Sequence, residues 1–392
     1  MESWDVQAPM KDKVLLYVVN ADWYFKLHWL NRATANIANG YKVVLISCFD
    51  TPGVSDELES HGIECHNIKI SRSGINPFFE LVTLYSLLKL ARKINPDIIH
   101  SITVKPNIYS GIIGRIIRRP VVKSVTGLGV IFSNQSFFFK SIRPVVTSLY
   151  KAAGSSRHGA FVFENNHDLM FFKENNITDS QSLYFVEGAG VDPKRFFRQY
   201  KAFKNDKKNI LFAARLLKDK GLDTLLNALD ELYIERNDFV LNIAGIYDTG
   251  ARNAYTPDEI EEIKKREYVR WLGHRTDMEN VLGDSDLVVL PTRYGEGIPR
   301  ILIEAAFCGV PVVTTNIQGC NEFVENNVNG YLIKPGDYAE LKSTIAHVFD
   351  NCDEALLFAE RLYDKVHLDY SDQAIINKFS NIYDKLHHEI DF

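Results

Sequence analysis

Short apolar segments rich in β-branched residues recur along the chain, and longer helix-like segments separate them. Each apolar segment is hydrophobic at consecutive positions, which is typical of a strand that helices cover on both faces of a parallel sheet. The segments between them, such as 27–40, carry apolar residues at three- and four-residue spacing. The pattern predicts repeated βαβ units, and the first five strands are expected at 13–19, 42–48, 97–103, 120–126 and 159–165.

This alternation pauses at 187–208, where Gly, Lys and polar residues predict a linker. Five further apolar segments follow, at 209–214, 239–245, 268–273, 286–292 and 311–315. A chain of 392 residues also exceeds the size at which one hydrophobic core stops growing.

We therefore predict an α/β protein of two Rossmann-like, doubly wound domains. They are expected at 1–188 and 189–371, with the amphipathic segment 372–392 packing back on the first domain. A ligand is expected in the cleft between them, because open α/β sheets bind ligands at the carboxyl ends of their strands.

Composition excludes several classes of protein. A formal charge of -5 argues against nucleic acid as a partner. The five cysteines form no C-x-x-C pair, so neither a disulfide framework nor a zinc site is expected. The polar start lacks the apolar core of a signal peptide, and no apolar run approaches the roughly 20 residues that span a bilayer. These features predict a cytoplasmic protein that is soluble or peripheral to the membrane.

The stretch 291–315, PTRYGEGIPRILIEAAFCGVPVVTT, carries the densest chemical signal. It follows an apolar strand and predicts a helix that opens near Pro299, a residue suited to the first helical position. Gly295 and Gly297 permit close backbone approach, and the start of a helix attracts anions. We therefore expect a phosphate group here.

Two glutamates flank that helix start, and they are eight positions apart. Glu304 stands among apolar neighbours, where a carboxylate needs a hydrogen-bonding partner such as a ribose diol. Glu296 lies in the preceding loop and is expected to reach another part of one extended ligand. Two ordinary salt bridges are an equally acceptable interpretation of this pair taken alone.

A second cluster lies in NILFAARLLKDKGL (209–222), where Arg215 follows an apolar strand and Lys220 precedes a helix. Two fixed cations stabilise the negative charge that develops on a departing diphosphate. Arg215 and Lys220 are the candidates for this role. A solvated surface turn is the alternative, and it suits Lys218 and Asp219 better than Arg215.

These motifs in combination resemble glycosyltransferase family 4. The resemblance rests on A-R-L-x-x-x-K-G (214–221), E-G-I-P-x-x-x-x-E (296–304) and C-G-V-P-V-V (308–313). It implies the GT-B architecture and a retaining transfer of a sugar from a nucleotide-diphosphate donor. The stretches 100–111, 124–129 and 186–196 resemble the subgroup that extends polyprenyl-diphosphate-linked glycans, for O-antigen, capsule or protein glycosylation. For this chain the subgroup implies a UDP-linked hexose or N-acetylhexosamine as donor and a peripheral position at the cytoplasmic membrane.

The resemblance also implies roles for individual residues. Arg215 and Lys220 would bind the donor diphosphate, Glu296 the sugar hydroxyls, and Glu304 the ribose. The remaining donor-binding candidates are Gly245, Gly273, His274, Gly297, Ile298, Thr126 and Gly127.

One departure from the family concerns its usual histidine contact to the donor sugar. Here Thr126 and Gly127 occupy the position after the predicted strand 120–126. The amino-terminal glycine-rich loop is also replaced, by NADWYFKLHW (20–29). His28 and Lys105 are therefore acceptor-side candidates, although a lone histidine is more often structural.

No nucleophile and base are arranged for a double displacement, so a front-face substitution fits this residue set better. Neither a metal ion nor another cofactor is expected, and the segment Asp284 to Asp286 is predicted to be a turn. Three phenylalanines and several cations at 133–158 suit a segment lying on an anionic membrane, or equally a core helix with a basic face.

Three alternative functions can be compared with the sequence. A sugar-nucleotide epimerase of GT-B shape would need an acid and base pair, whereas the A-R-L-x-x-x-K-G motif favours transfer. A non-catalytic sugar-nucleotide-binding subunit would be expected to lack Arg215, Lys220 or Glu296, yet all three are present. A nicotinamide dehydrogenase is disfavoured because no G-x-G-x-x-G opens the first βαβ unit.

Overall fold

The fold is described from a computed structural model. It describes residues 13–71, 76–128, 137–154, 159–186, 188, 190–198, 203, 206–247, 251, 253–295 and 297–388. The chain divides into two compact units. Unit 1 comprises Met1–Val186 and Ile375–Phe392, and unit 2 comprises Glu187–Ala374.

Unit 1 is built on a seven-stranded parallel sheet of order β3-β2-β1-β4-β5-β6-β7. Its central strands are buried throughout, because helices cover both faces. The strands are β1 (Lys13–Val18), β2 (Tyr41–Ser47), β3 (Glu64–Asn67), β4 (Ile98–Ile102), β5 (Val121–Val125), β6 (Gly159–Phe163) and β7 (Leu183–Phe185).

The helices of unit 1 form two layers around that sheet. They are α1 (Asp22–Ala38), α2 (Val54–Ser60), α3 (Pro77–Ile94), α4 (Val104–Ile117), α5 (Phe137–Gly154), α6 (Asn166–Glu174) and the carboxyl-terminal α14 (Asp372–His388). Helices α1, α2 and α14 share one core with one face of the sheet. Helices α3 to α6 pack on the other face.

Unit 2 is built on a six-stranded parallel sheet of order β10-β9-β8-β11-β12-β13. Its strands are β8 (Lys208–Arg215), β9 (Phe239–Ile246), β10 (Val269–Gly273), β11 (Leu287–Leu290), β12 (Val312–Thr315) and β13 (Tyr331–Ile333). One continuous apolar core joins this sheet to its helices. These helices are α7 (Leu222–Glu235), α8 (Pro257–Lys264), α9 (Met278–Gly283), α10 (Arg300–Cys308), α11 (Cys320–Phe323), α12 (Tyr338–Asp350) and α13 (Cys352–Asp369).

The prediction of two doubly wound α/β domains is confirmed, since both sheets are parallel and helices connect their strands. Helix α14 adds Ile375, Phe379 and Tyr383 to the core of unit 1. Among the described residues, no helix is both long enough and apolar enough to cross a membrane.

Candidate active site

The centre of the second sheet is the place where its strand order reverses. Strand β8 pairs with β9 on one side and with β11 on the other. The chain then continues from β9 to β10 and, in the opposite direction, from β11 to β12. Ligands of open α/β sheets bind at such a switch point, beside the carboxyl ends of the two diverging strands. The loops after Arg215 and after Leu290 meet there.

The loop after β8 carries both predicted phosphate-binding cations. Arg215 is the last residue of the strand and is half-buried. Lys220 ends a short 3-10 helix (Lys218–Lys220) and is buried. Gly221 then adopts a φ of 78° and leads directly into α7. By contrast Lys218 is exposed and pairs with Glu259 at 2.7 Å, so it behaves as the surface residue that the alternative interpretation described.

The loop after β11 is fastened to the loop after β8. The backbone N–H of Arg293 donates to the carbonyl of Asp219 at 2.7 Å, and the Thr292 hydroxyl donates to the same oxygen at 3.2 Å. A Cβ at Gly221 would overlap the carbonyl of Pro291, so only glycine permits this approach. The backbone on both sides of Lys220 is therefore fixed against the loop that leads to α10.

The Arg293 side chain makes a second connection between these loops. Its guanidinium donates to Asp223 at 2.6 Å and to the Thr224 hydroxyl at 2.5 Å, both in the first turn of α7. Sequence reasoning missed this residue. Like Arg215, it is a cation that closely follows an apolar strand, and that signal was available in the sequence.

Helix α10 begins at Arg300, beside the start predicted near Pro299. Pro299 has an extended backbone, with a ψ of 124°, and is the N-cap residue. Arg300 is therefore the first helical residue. The two preceding residues, Gly297 and Ile298, are buried. Glu296, the proposed contact to the donor sugar, lies outside the described residues, so its position remains a sequence prediction.

Glu304 is buried in α10, with 8% of its surface exposed, and it has a hydrogen-bonding partner. The Arg300 Nε donates to its carboxylate at 2.8 Å, one helical turn earlier. One turn later, burial raises the pKa of the Cys308 thiol to about 12. The Cys308 thiol is therefore protonated near neutral pH, the form in which a cysteine is a poor nucleophile.

The other predicted donor-binding positions lie at the same edge of the second sheet. Gly245 is near the carboxyl end of β9, where a Cβ would overlap the Leu216 side chain. Gly273 ends β10 with a φ of 66°, and His274 follows it on the surface. The structure thus places these glycines and Arg215 at the ends of three neighbouring strands.

The predicted unit 1 residues are dispersed. Thr126 and Gly127 follow β5, and the next backbone N–H, that of Leu128, donates to buried Asp168 at 3.1 Å. His28 packs against Tyr24 in α1, with ring centroids 4.5 Å apart and ring planes inclined at 45°. Lys105 forms a 2.6 Å ion pair with Glu80. His28 and Lys105 belong to helices on opposite faces of the first sheet, so they do not form one cluster there.

The described residues contain no group of three or more histidine, cysteine, aspartate or glutamate side chains able to hold a metal ion. Asp284 caps the end of α9, and Asp286 precedes β11. The Asp286 carboxylate accepts the backbone N–H of Asn209 at 2.7 Å, near the amino end of β8. It therefore lies at the edge of the sheet opposite the candidate site.

Two family models match the two parts of the chain. The model described as "Glycosyl transferases group 1" matches residues 193–363, and "Glycosyl transferase 4-like" matches residues 13–154. Together they include Arg215, Lys220, Glu304 and the segment around Thr126.

Two curated relatives align over most of their length. One is the N,N'-diacetylbacillosaminyl-diphospho-undecaprenol alpha-1,3-N-acetylgalactosaminyltransferase of Campylobacter jejuni, 27% identical over 85% of this chain and 88% of its own. The other is the UDP-Gal:alpha-D-GlcNAc-diphosphoundecaprenol alpha-1,3-galactosyltransferase of Escherichia coli, 28% identical over 73% of each chain.

Solved structures share the fold at low sequence identity. A glycosyltransferase from Rickettsia africae superimposes with a TM-score of 0.75 at 20% identity, covering 96% of this chain and 98% of its own. HepE of Anabaena, in complex with UDP-glucose, gives a TM-score of 0.75 at 19% identity, covering 94% of this chain and 99% of its own.

Proposed function

This chain belongs to the glycosyltransferases of GT-B architecture, and we propose that it moves a hexose or N-acetylhexosamine from a UDP-linked donor to a lipid-linked saccharide. The proposed acceptor is a saccharide on polyprenyl diphosphate, in the biosynthesis of a surface glycan. The names of the two curated relatives support this acceptor, since both transfer a sugar to a diphosphoundecaprenol-linked saccharide. The name of the second relative, which includes UDP-Gal, supports UDP as the nucleotide.

The observation that carries the proposal is the junction of two loops at the switch point of the second sheet. One loop brings Arg215 and Lys220 to the carboxyl end of β8. The second loop precedes α10, and a hydrogen bond from Arg293 to Asp219 fastens it to the first. Preorganised cations at the position where charge develops are the main source of electrostatic catalysis.

The proposed chemistry is a front-face substitution that retains the anomeric configuration. The bond from C1 of the sugar to the β-phosphate oxygen breaks, and the electron pair leaves with the UDP. The acceptor hydroxyl oxygen forms the new bond to C1 on the same face, and its proton passes to an oxygen of the departing β-phosphate. Arg215 and Lys220 stabilise the developing phosphate charge, so the protein supplies position and charge rather than a nucleophile.

Different groups would hold the two ends of the donor. The buried Glu304 would accept hydrogen bonds from the ribose hydroxyls, and Glu296 would contact the sugar beside the reacting carbon. The backbone near Gly273 and His274 would hold the base. The backbone at Gly297 and Ile298, just before α10, would approach the phosphates.

We expect transfer without a metal ion, since Arg215 and Lys220 would take over the role that a divalent cation plays at other diphosphates. Activity should therefore survive excess EDTA after the enzyme has been purified in its presence. A strict requirement for added magnesium or manganese would overturn the assignment of these two residues.

The proposed acceptor also places the enzyme at the inner face of the cytoplasmic membrane, as a peripheral protein. A polyprenyl chain keeps its saccharide at the bilayer surface, so an enzyme that works on it must approach that surface. The segment 133–158 was expected to make this contact. Residues 133–136 and 155–158 lie outside the described residues, and the described remainder forms α5.

The function can be tested by measuring donor binding and transfer together. A panel of UDP-, GDP- and dTDP-sugars is screened for thermal stabilisation, because a cognate ligand raises stability by mass action. The stabilising donor is then incubated with a synthetic polyprenyl-diphosphate saccharide, and the product is analysed for its anomeric linkage. An inverted linkage would contradict the front-face mechanism, and no transfer from any donor would contradict the function itself.

Variants of the loop after β8 make this test specific. Lys220→Met should lower turnover by about 100- to 1,000-fold, as the loss of one transition-state contact typically does. Lys218→Met is the matched control, since that lysine lies two residues away but pairs with Glu259 on the surface.

Glu296→Gln should lower turnover while UDP binding persists, because its proposed contact is to the sugar. Parental transfer by Glu296→Gln would refute the site assignment.

A further inference from the structure

Helix α3 exposes large apolar side chains along one face. Phe78 is 70% exposed, Tyr85 is 69% exposed, and Val82 between them is 48% exposed. The same stripe continues to the exposed residues Lys89 and Arg92, because steps of three and four residues return to one side of a helix. Two further apolar residues beside the stripe, Phe79 and Leu81, are about as exposed as Phe78.

The opposite face of α3 accounts for its attachment to unit 1. Leu87 and Ala91 are buried against the first sheet and α4. The stripe therefore points away from the core of unit 1. Contiguous exposed apolar groups of this size are unusual on a soluble surface and mark a site of interaction with another surface.

Two neighbouring helices extend this surface. Helices α3, α4 and α5 lie side by side on the same face of the first sheet. Helix α4 exposes Ile116, and α5 exposes Val145 and Leu149 at helical spacing. We call the outward side of these three helices the basic helix face.

The charge of the basic helix face is opposite to that of the chain. Among the residues of these helices whose side chains the structure describes, seven are basic and one is acidic, whereas the whole chain has a formal charge of -5. The single acidic residue, Glu80, pairs with Lys105 at 2.6 Å. The basic residues are Lys89, Arg92, Lys93, Lys105, Arg115, Arg143 and Lys151.

Helix capping explains only part of this excess. Cations in the last turn stabilise the negative end of a helix, which accounts for Arg92, Lys93, Arg115 and Lys151. It does not account for Lys89 or Arg143, which precede the last turns, nor for the exposed aromatic residues. Apolar rings bordered by cations and almost free of carboxylates match the chemistry of an anionic lipid surface.

We propose that the basic helix face docks on an anionic phospholipid bilayer. Phe78, Val82 and Tyr85 enter the interface between headgroups and acyl chains, while Lys89 and Arg92 contact lipid phosphates. The docking rests on the proposed function only for its purpose, which is to bring the enzyme to a lipid-linked acceptor. The segment 133–158, in which the sequence predicts a membrane contact, includes α5 of this face but not α3.

The test uses the full-length enzyme and vesicles of two compositions, pure phosphatidylcholine and phosphatidylcholine with phosphatidylglycerol. The parental protein should sediment with the anionic vesicles and remain in solution with the neutral ones. Phe78→Ser/Tyr85→Ser should weaken vesicle binding by about tenfold or more, because its apolar anchor is lost. Lys89→Gln/Arg92→Gln should weaken it by a similar factor, and salt of about 1 M should release the parental protein.

Matched controls alter equivalent groups elsewhere. Ile234→Ser alters an apolar residue of α7 in unit 2 that is more exposed than Phe78 or Tyr85. Lys173→Gln/Lys264→Gln removes two exposed charges outside the basic helix face. Both controls should bind vesicles like the parental protein. Circular dichroism and UDP binding verify that all variants are folded.

Transfer assays separate this inference from the proposed function. The α3 variants should glycosylate a water-soluble, short-chain acceptor at the parental rate and lose activity only on a long-chain acceptor in vesicles. Equal binding of the parental protein to both vesicle types, or parental binding by both α3 variants, would overturn the docking surface. Vesicle binding that depends on α3 in an enzyme inactive on every acceptor would instead overturn the proposed function alone.

Discussion

The substitution Glu304→Gln distinguishes a ligand-binding carboxylate from an ordinary intrahelical ion pair. Glutamine keeps the shape of the side chain and removes its charge. In the structure Glu304 is almost completely buried and accepts a hydrogen bond from Arg300 Nε at 2.8 Å. An ion pair at this spacing contributes about 0.3 to 0.5 kcal/mol on an exposed helix. A charged hydrogen bond to a ribose hydroxyl contributes about 1.5 to 3 kcal/mol.

These magnitudes give distinct expectations for UDP binding. If Glu304 binds the ribose, the Kd of Glu304→Gln for UDP should rise by about 10- to 150-fold. The matched control is Arg300→Gln, which removes the ion pair and leaves the carboxylate in place. It should lower the free energy of unfolding by about 1 kcal/mol, because Glu304 loses its partner in a buried position, while the Kd changes by less than about threefold.

Isothermal titration calorimetry with UDP and chemical denaturation of the three proteins give both quantities. The ribose assignment is refuted if Glu304→Gln binds UDP with the parental Kd. It is also refuted if both variants weaken UDP binding equally. UDP affinity would then depend on the ion pair between Arg300 and Glu304 and not on a direct contact of the carboxylate with the ribose.

Three further predictions concern one buried residue of the first sheet and two residues of the loops beside the second. Burial lowers the pKa of Lys123 from 10.5 to about 7. Between these two pH values the unfolded chain binds a proton at Lys123 that the folded chain does not bind. The free energy of unfolding should therefore rise with pH across this range. Lys123→Met should abolish that rise and be up to about 5 kcal/mol more stable at pH 7; a stability difference that is independent of pH would contradict this. Gly221→Ala should lower both stability and UDP affinity, whereas Gly53→Ala, at an equivalent φ but in open space, should lower stability alone by about 1 kcal/mol. Arg293→Met should reduce kcat/KM by at least about tenfold with partial recovery in Arg293→Lys, and an unchanged kcat/KM would show that its contacts to α7 do not position the site.

The central strands of both sheets and the edge strand β10 could be predicted from the sequence, whereas the edge strands β3, β7 and β13 could not. Strands buried on both faces require consecutive apolar residues, and β4 and β5 meet that requirement throughout. Strand β3 has only the residues ECHN, and β7 has three half-buried residues, so neither produces an apolar run. Edge strands pair on one side and are partly exposed, and their sequences carry little of the hydrophobic signal.

Residues of the candidate site could be predicted where a short sequence motif identifies them, and could not be predicted where their role depends on a tertiary contact. Arg215 and Lys220 were found because a strand, a loop and a helix start are visible within eight residues. The partner of Glu304 lies at helical spacing and was within reach of the same reasoning. The contacts of Arg293 with Asp219 and Asp223 join segments about 70 residues apart. The hydrophobic periodicity of a sequence indicates local secondary structure and does not indicate such a contact.

Both sheets place their first and fourth strands side by side, so unit 1 has a switch point of its own, between β1 and β4. Thr103, which directly follows β4, adopts a φ of 77° and a ψ of 167°, a conformation that costs a β-branched residue about 1 to 3 kcal/mol. Its buried hydroxyl has no hydrogen-bond partner among the described residues. The Asn107 side chain, which donates to the Ser124 carbonyl at 2.8 Å, and the Thr103 N–H, which donates to the same oxygen at 3.3 Å, hold the backbone there. Strain maintained in this way concentrates at functional sites, so Thr103 has a stronger physical argument for an acceptor-side role than His28, whose ring packs against Tyr24 of its own helix.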